Sequence, residues 1–500
     1  MWVEQEEHKV QRPNVLFTIL GRMACKPEVQ FDRLFPKLYN PELWLMAYEQ
    51  IAPKPGNMTS GVDGKTIDGA GMALIEAIID DLRKAKYKPQ PVRRVYIKKP
   101  NGKLRPLGIP NFRDKLAQTV VKFILEAIYE PTFANTSHGF RPRRSCHTAL
   151  EQVKQLAGIR WWVEGDIVGF FDNIDHATLL GILGKKITDQ RFLHLIEQFL
   201  RAGYVEEMEY HDTYSGTPQG GNLSPILSNI YLNELDQKMA QKMVEFRKGE
   251  RRATNPEYEH IQARRRQEKA KARKTGDWSM YKEQTQRMLA TPSKESQDAD
   301  FRRMYYCRYA DDFLVGIIGS KADAVETKQW LAEYLQTELG LELSEQKTLI
   351  THAENRIRFL GYDIVRGDEK RRIRVRRSTG TGVQRTCTRK LHLRIPAEKV
   401  EAFAKGYGDR QGWQGRSRND LIQFSELEIL TIYNAEVRGF LGYYSKANDY
   451  HKLAPSILWL TTTSFFKTLA AKRKSTVKAV AQSLKRGPNN YAVSFSKADG

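Results

Sequence analysis

Five hundred residues carry 81 lysines and arginines against 59 aspartates and glutamates, a formal net charge of +22. That length suffices for about two to four domains, and the charge points to a polyanionic partner, nucleic acid above all. No run of about 18 apolar residues occurs, which excludes a membrane-spanning helix, and the acidic start Met1-Trp2-Val3-Glu4-Gln5-Glu6-Glu7 lacks the apolar core of a secretory signal. Cys25, Cys146, Cys307 and Cys387 are too widely spaced for a Cys-x-x-Cys zinc pair or a disulfide framework, so a reducing, cytoplasmic compartment is expected.

In chain order, Phe31, Leu34, Phe35, Leu38, Leu43, Leu45, Met46 and Tyr48 recur at helical spacing until Pro53-Lys54-Pro55-Gly56 breaks the pattern. After the turn Gly61-Val62-Asp63-Gly64, Met72 to Tyr87 reads as an amphipathic helix. Residues 92–110 alternate apolar and basic around Pro100-Asn101-Gly102-Lys103, a hairpin carrying several cations. A helix over 112–130 closes at Pro131, a buried strand over 161–168 is interrupted by Asp166, and a further helix starts near Ala177. Residues 222–244 read as a long helix. From 245 to 300 the composition shifts. The stretch from Arg264 to Lys274 is dense in cations and poor in large apolar residues, which suits either a solvated helix or an RNA-contacting arm. Residues 303–309 and 312–318 form two apolar strands around Ala310-Asp311, 321–339 a helix, 357–365 and 371–376 strands, and 388–485 a mostly helical, basic region. The alternation of Tyr491 to Gly500, ending in Asp-Gly, reads as the first half of a hairpin, as though a further domain followed.

The chemistry concentrates on carboxylates. Asp311 and Asp312 sit between two hydrophobic strands, where unpaired charge is costly, and Asp166 ends a similar strand, Trp161-Trp162-Val163-Glu164-Gly165. Three aspartates at neighbouring strand ends make an oxygen cage suited to Mg²⁺, which keeps some of its waters and needs few protein ligands. Two such ions, roughly 3.5–4 Å apart, can run an in-line phosphoryl displacement. A lone Asp-Asp pair is commonly a solvated turn; the form Tyr309-Ala310-Asp311-Asp312 between apolar strands is far more specific.

These residues resemble reverse transcriptases, in detail the group II intron-encoded enzymes (maturases), and the resemblance runs from about Phe31 to about Gln482. It implies an α+β right-hand polymerase with fingers, an antiparallel-sheet palm and a helical thumb called maturase domain X. The corresponding boundaries are 1–90 for an N-terminal extension, 91–160 for fingers, 161–385 for palm with a basic insertion at about 245–300, 386–485 for thumb, and 486–500 for the start of a possible DNA-binding region. Arg94 to Pro110 resembles the fingers hairpin, whose lysine and arginine hold the incoming triphosphate; Lys99 and Arg105 match them. His138-Gly139-Phe140-Arg141-Pro142 resembles the next fingers block. Asp166 to His176 resembles the first palm motif. There Asp166 and the Ile167 carbonyl would join Asp311 and Asp312 in binding two Mg²⁺ ions, and Phe171 would gate against a nucleotide 2′-hydroxyl. Asp172 and Asp175 would brace the following turn instead. Gly216 to Pro225 resembles the nucleotide-pocket block, with Gln219 on the nucleotide. Ser344-Glu345-Gln346-Lys347-Thr348 resembles a late palm block, and Phe359-Leu360-Gly361-Tyr362 a primer grip.

The insertion from Arg251 and the region Ile432 to Tyr444 also resemble the intron-encoded enzymes. Arg264, Arg265, Arg266, Arg438, Tyr443, Tyr444, Lys472, Arg473 and Lys474 are the expected RNA contacts, mostly to phosphates. The implied activity is RNA-templated DNA synthesis with assistance to splicing and retrohoming. The implied partners are a group II intron RNA, target DNA and primer, and dNTPs, with no membrane. Two rivals remain at this level: an RNA-binding splicing factor with a silent polymerase site, and a bacterial reverse transcriptase of another type.

Overall fold

The computed structural model describes residues 12–98, 102, 104–206, 209–213, 215–217, 220–295, 298–367, 372–377, 380–385, 390–487 and 490–493. Lys99 and Gln219 lie outside them. The architecture is α+β, and the chain divides into two units. The first comprises residues 1–149, 161–251 and 297–350; the second comprises 150–160, 252–296 and 351–500.

Two sheets organise the first unit. β1 (Val92–Lys98) and β2 (Leu104–Ile109) form the expected antiparallel hairpin, with Ile97 opposite Arg105. The second sheet contains β3 (Trp161–Gly165). β4 (Tyr204–Glu206) runs parallel to β1 and is extended by β5 (Glu209–His211). In the second sheet β6 (Arg303–Tyr309) and β7 (Asp312–Ile318) make an antiparallel hairpin, β7 pairs with β3, and β8 (Leu349–His352) lies on the far side of β3. β7 is buried from Phe313 to Ile318 because the helices Ser224–Phe246 and Lys321–Leu339, with others, supply an apolar face to the same core. Burial on both faces explains its unbroken run of apolar residues.

Four expectations change in detail. The 31–48 periodicity is not one helix: Phe35–Tyr39 is 3-10 and Pro41–Ile51 is α, divided by Asn40, whose side chain caps the second helix at Glu42 N. The helix from Met72 ends at Arg83, and Ala85 at φ +53° turns the chain so that Tyr87 is buried against Asp114. The strand at 161–168 stops at Gly165, because Ile167 bridges to Leu343 and Gly169, at φ +51°, reverses the chain. The strand at 357–365 is two, split at Leu360-Gly361.

In the second unit β9 (Ile357–Phe359), β10 (Tyr362–Arg366) and a later strand form a small antiparallel sheet. β11 (Arg372–Arg377) and β12 (Gly380–Arg385) form a separate hairpin, and the later strand that pairs with β10 is β13 (Leu391–Arg394). The cation-dense segment is a helix, Pro256–Thr275, packed on Ser279–Ala290 and closed at its neck by Glu295 N to Ala253 O (2.9 Å). The helices Glu426–Tyr443, Tyr450–Lys472 and Val477–Leu484 bury Ile429, Leu460, Leu469 and Val480 together. Lys485–Gly487 pairs with Asn490–Tyr491, so a hairpin forms earlier than the 491–500 alternation suggested, and residues 494–500 lie outside the described set. Among the described residues no helix is long and apolar enough to cross a membrane.

Candidate active site

The β6–β7 hairpin turns on Ala310-Asp311, between the paired Tyr309 and Asp312. Ala310 takes φ +55°, the first position of a tight hairpin turn that usually asks for glycine. On the other side of β7, Gly165 faces Phe313, so Asp166 and Asp312 occupy the next rung. A side chain at Gly165 would meet the Phe313 ring at 2.1 Å. The missing Cβ is what lets the strand bearing Asp166 approach the strand bearing Asp312. The Ile167–Leu343 bridge uses Asp166 O and Val168 N for its hydrogen bonds, which leaves the Ile167 carbonyl out of that pairing.

The electrostatics follow from this crowding. Burial, then the negative charge of Asp166, pushes the Asp311 carboxyl above its ordinary range, while Arg105 and Lys347 pull it back. Burial, Asp311 and Asp166 push Asp312 up to about 6. Its residue surface is nonetheless open at the rim, so water attenuates the effect. Lys347 Nζ donates to Asp166 Oδ2 at 2.7 Å. Among the described residues no three acidic, imidazole or thiol groups converge on one point, and the Asp166 carboxylate is engaged by this ammonium. An oxygen-only donor set with mutually repelling carboxylates fits a hard divalent cation, whose charge would cancel the repulsion.

Beside the aspartates, the half-buried Phe171 meets the exposed Phe140 edge-on at 6.2 Å and Phe170 at 5.2 Å. The 215–217 segment is tied down there by Thr217 N to Phe171 O (2.7 Å) and Gly216 N to Ile174 O (2.8 Å). His176 Nε2 lies 2.7 Å from Gly216 O, a structural task for that histidine. Asp175 caps the helix His176–Gly184 through Thr178 N at 2.7 Å, as its position in the turn suggested.

Residues 97–263 match the reverse transcriptase (RNA-dependent DNA polymerase) family and residues 389–498 match the type II intron maturase family. The chain is 40% identical to the group II intron-encoded protein LtrA of Lactococcus lactis subsp. cremoris, over 96% of this chain and 82% of that protein. It belongs to the group II intron-encoded reverse transcriptases. It is also 34% identical to the putative COX1/OXI3 intron 1 protein of Saccharomyces cerevisiae, over 91% of this chain and 55% of that one, and 35% identical to protein YkfC of Escherichia coli, over 69% and 85%.

Membership of this family makes the chain an RNA-directed DNA polymerase that promotes splicing, in a family that uses divalent metals. The reverse transcriptase match contains Asp166 and Phe171 but ends inside the Pro256–Thr275 helix, before Asp311 and Asp312. The maturase match contains Arg438, Tyr443, Tyr444 and Lys472 to Lys474.

In the maturase-side unit, Phe359 and Tyr362 pair across Leu360 (φ +45°) and Gly361 (φ +71°). Tyr443 Oη donates to Leu360 O at 2.8 Å, Tyr444 Oη to Gly361 O at 3.3 Å, and Tyr362 Oη to Tyr443 O. Two expected RNA contacts thus brace the expected primer-grip turn, a link that spacing along the chain does not reveal. Arg265 donates to Tyr281 Oη (3.1 Å) and Thr285 Oγ1 (3.2 Å) on the second insertion helix. Arg473 pairs with both Glu426 oxygens at 2.6 Å, and Lys472 reaches Ile422 O at 3.0 Å. Arg264, Arg266, Arg438 and Lys474 are exposed.

Sequence reasoning also missed Lys347 on Asp166 and the fully buried Arg308. The signal for Arg308 was a cation in the interior of an apolar-rich strand, where a buried charge has to find a partner.

Proposed function

We propose that this protein serves a single group II intron: it binds that intron's RNA, helps it splice, and copies it into target DNA from a primer in the target (retrohoming by target-primed reverse transcription). The observation that carries this reading is the Ala310-Asp311 turn closing beside Asp312, which shares a rung with Asp166, with both carboxyls pushed up by burial and by the charge of Asp166, and Asp312 by Asp311 as well. Residues 1–90 then act as the N-terminal extension, 91–160 as fingers, 161–385 as palm with the insertion, 386–485 as thumb, and 486–500 as the start of a DNA-binding region.

Asp166, Asp311, Asp312 and the Ile167 carbonyl would hold two Mg²⁺ ions. When bound, these supply an activated primer 3′-hydroxyl and charge compensation for the departing pyrophosphate. Lys347 yields the Asp166 carboxylate as the site assembles. Arg105 and Lys99 bind the triphosphate of the incoming dNTP through charge-assisted hydrogen bonds. Phe171, backed by Phe140, closes the space a 2′-hydroxyl would need, and Gln219 contacts the nucleotide. Phe359, Leu360, Gly361 and Tyr362 hold the primer end. The exposed Arg264, Arg266, Arg438 and Lys474 contact RNA phosphates, while Arg265, Lys472, Arg473, Tyr443 and Tyr444 shape the surfaces that present them.

The test is primer extension on an RNA template, joined to recovery of copurifying RNA. Mg²⁺-dependent cDNA together with one enriched group II intron RNA supports the reading. Intron RNA without cDNA makes the protein a splicing factor with a silent polymerase site, and cDNA without intron RNA makes it a reverse transcriptase of another type. Within the pocket, Phe171→Ala relaxes rejection of ribonucleotides; unchanged sugar selectivity removes the gate assignment.

A further inference from the structure

Arg308 is fully buried in β6, two residues before the Ala310 whose backbone turns the catalytic hairpin. A guanidinium out of water must place its five N–H groups on acceptors. Nε and Nη2 grip Asp236 at 2.8 and 2.5 Å, and Nη2 also reaches Ser137 Oγ at 2.8 Å. Nη1 donates to Ala310 O at 2.9 Å and to Asn229 Oδ1 at 3.2 Å. Asp236 and Asn229 stand two turns apart on one face of the Ser224–Phe246 helix, and Tyr306 Oη holds the same Asp236 Oδ1 at 3.0 Å.

The loop bearing Ser137 is stitched to the same place. Arg308 N donates to Thr136 O (2.8 Å), His138 N to Arg308 O (2.9 Å), and Asn229 Nδ2 to Gly139 O (2.8 Å). Gly139 lies against Ala310, where an added Cβ would come within 2.3 Å of Ala310 N. The next residue is Phe140, held at φ +57° with its ring edge-on to Phe171.

We infer that Arg308 is a positioning residue that couples the metal-binding turn to the wall that excludes the 2′-hydroxyl. It rests on the reading of Asp311 as a metal ligand and Phe171 as the sugar gate. One arm of the guanidinium fixes the carbonyl of the strained Ala310, and so the direction in which Asp311 leaves the turn. The other arms, through Ser137 and Asn229, fix the loop that carries Gly139 and Phe140 behind Phe171. A lysine cannot replace this fork, because a point ammonium does not span Asp236, Ser137 and Ala310 O in fixed directions.

The experiment uses the full chain and two readouts that general destabilisation would not move selectively: Mn²⁺ affinity by electron paramagnetic resonance titration, and the ratio of deoxyribonucleotide to ribonucleotide incorporation. Circular dichroism first confirms the fold of each variant. Arg308→Lys is expected to lower both by roughly tenfold, the worth of about one charge-assisted hydrogen bond. Ser137→Ala is expected to lower only the incorporation ratio, because Ser137 touches the loop arm alone. Wild-type values of both readouts in Arg308→Lys overturn the inference, as does a fall in turnover with both readouts unchanged. If Arg308→Lys does not fold, Asn229→Ala leaves the Arg308–Asp236 pair in place and removes the bond to Gly139 O. An unchanged incorporation ratio there overturns the inference equally. An Asp311→Asn chain with wild-type Mn²⁺ affinity instead sinks the metal-site reading, and the coupling with it.

Discussion

Two tight hairpins, one in each unit, solve the same backbone problem with different means. β6–β7 turns on Ala310-Asp311 with only Ala310 at positive φ, and β9–β10 turns on Leu360-Gly361 with both residues there. These correspond to the two primed turn types that match strand twist. In neither is the first turn residue glycine, so each accepts strain of about 1–2 kcal/mol. The first is held by a buried guanidinium–carboxylate pair and carries two carboxylates. The second is held by tyrosine hydroxyls on its two carbonyls and carries no charge. A turn that must hold mutually repelling charges needs a brace that does not yield; a turn that presents a shape can be held by single neutral hydrogen bonds.

The largest expected contrast is catalytic. Asp311→Asn lowers cDNA synthesis by roughly 10³-fold or more and leaves intron RNA binding nearly intact, as filter binding would read. Equal loss of both would make the residue structural and erase the distinction between the turns. Next in size is the difference between the braces. Asp236→Ala leaves Arg308 buried without its partner and costs about 3–5 kcal/mol, whereas Tyr443→Phe removes one neutral hydrogen bond and costs about 0.5–1.5 kcal/mol. Urea unfolding of the two variants tests this, and similar costs would break the comparison.

Smaller still is the strain itself. Ala310→Gly relieves the positive φ and loses some of the gain to a freer unfolded chain, for a net rise of up to about 1 kcal/mol. A drop in stability would mean that the Ala310 methyl packs rather than strains.

The smallest effect is a pH slope. In metal-free buffer Asp312, pushed up to about 6 by burial, Asp311 and Asp166 with Lys347 opposing, binds its proton more tightly folded than unfolded. Stability therefore falls as pH rises from the ordinary carboxylate range through about 6. Asp312→Asn should flatten this part of the melting-temperature profile, while Tyr443→Phe should keep it. An opposite slope in the wild type would contradict the crowding of the three aspartates.

Much of this was legible along the chain because it is local. The apolar runs on either side of Ala310-Asp311 specify β6 and β7 to the residue, and the alternating cations of 92–110 specify their hairpin, since strand periodicity and turn chemistry act over a few residues. The family blocks identified the enzyme class for the same reason, and they single out the aspartates as the residues to test. The places where the reading slipped are also physical. Asn40-Pro41 cut one periodic stretch into two helices because a cap outweighs apolar spacing, and beyond Gly165 the chain leaves β7 for a single bridge from Ile167 to Leu343, where hydrophobicity alone would have continued the strand.

What only the tertiary structure decided is which distant residues share a task. Arg308 with Asp236, Lys347 with Asp166, and Tyr443 with Leu360 are joined across 72, 181 and 83 positions. Such pairs follow from the burial of particular donors and acceptors, and burial is a property of the packed chain rather than of any stretch of it.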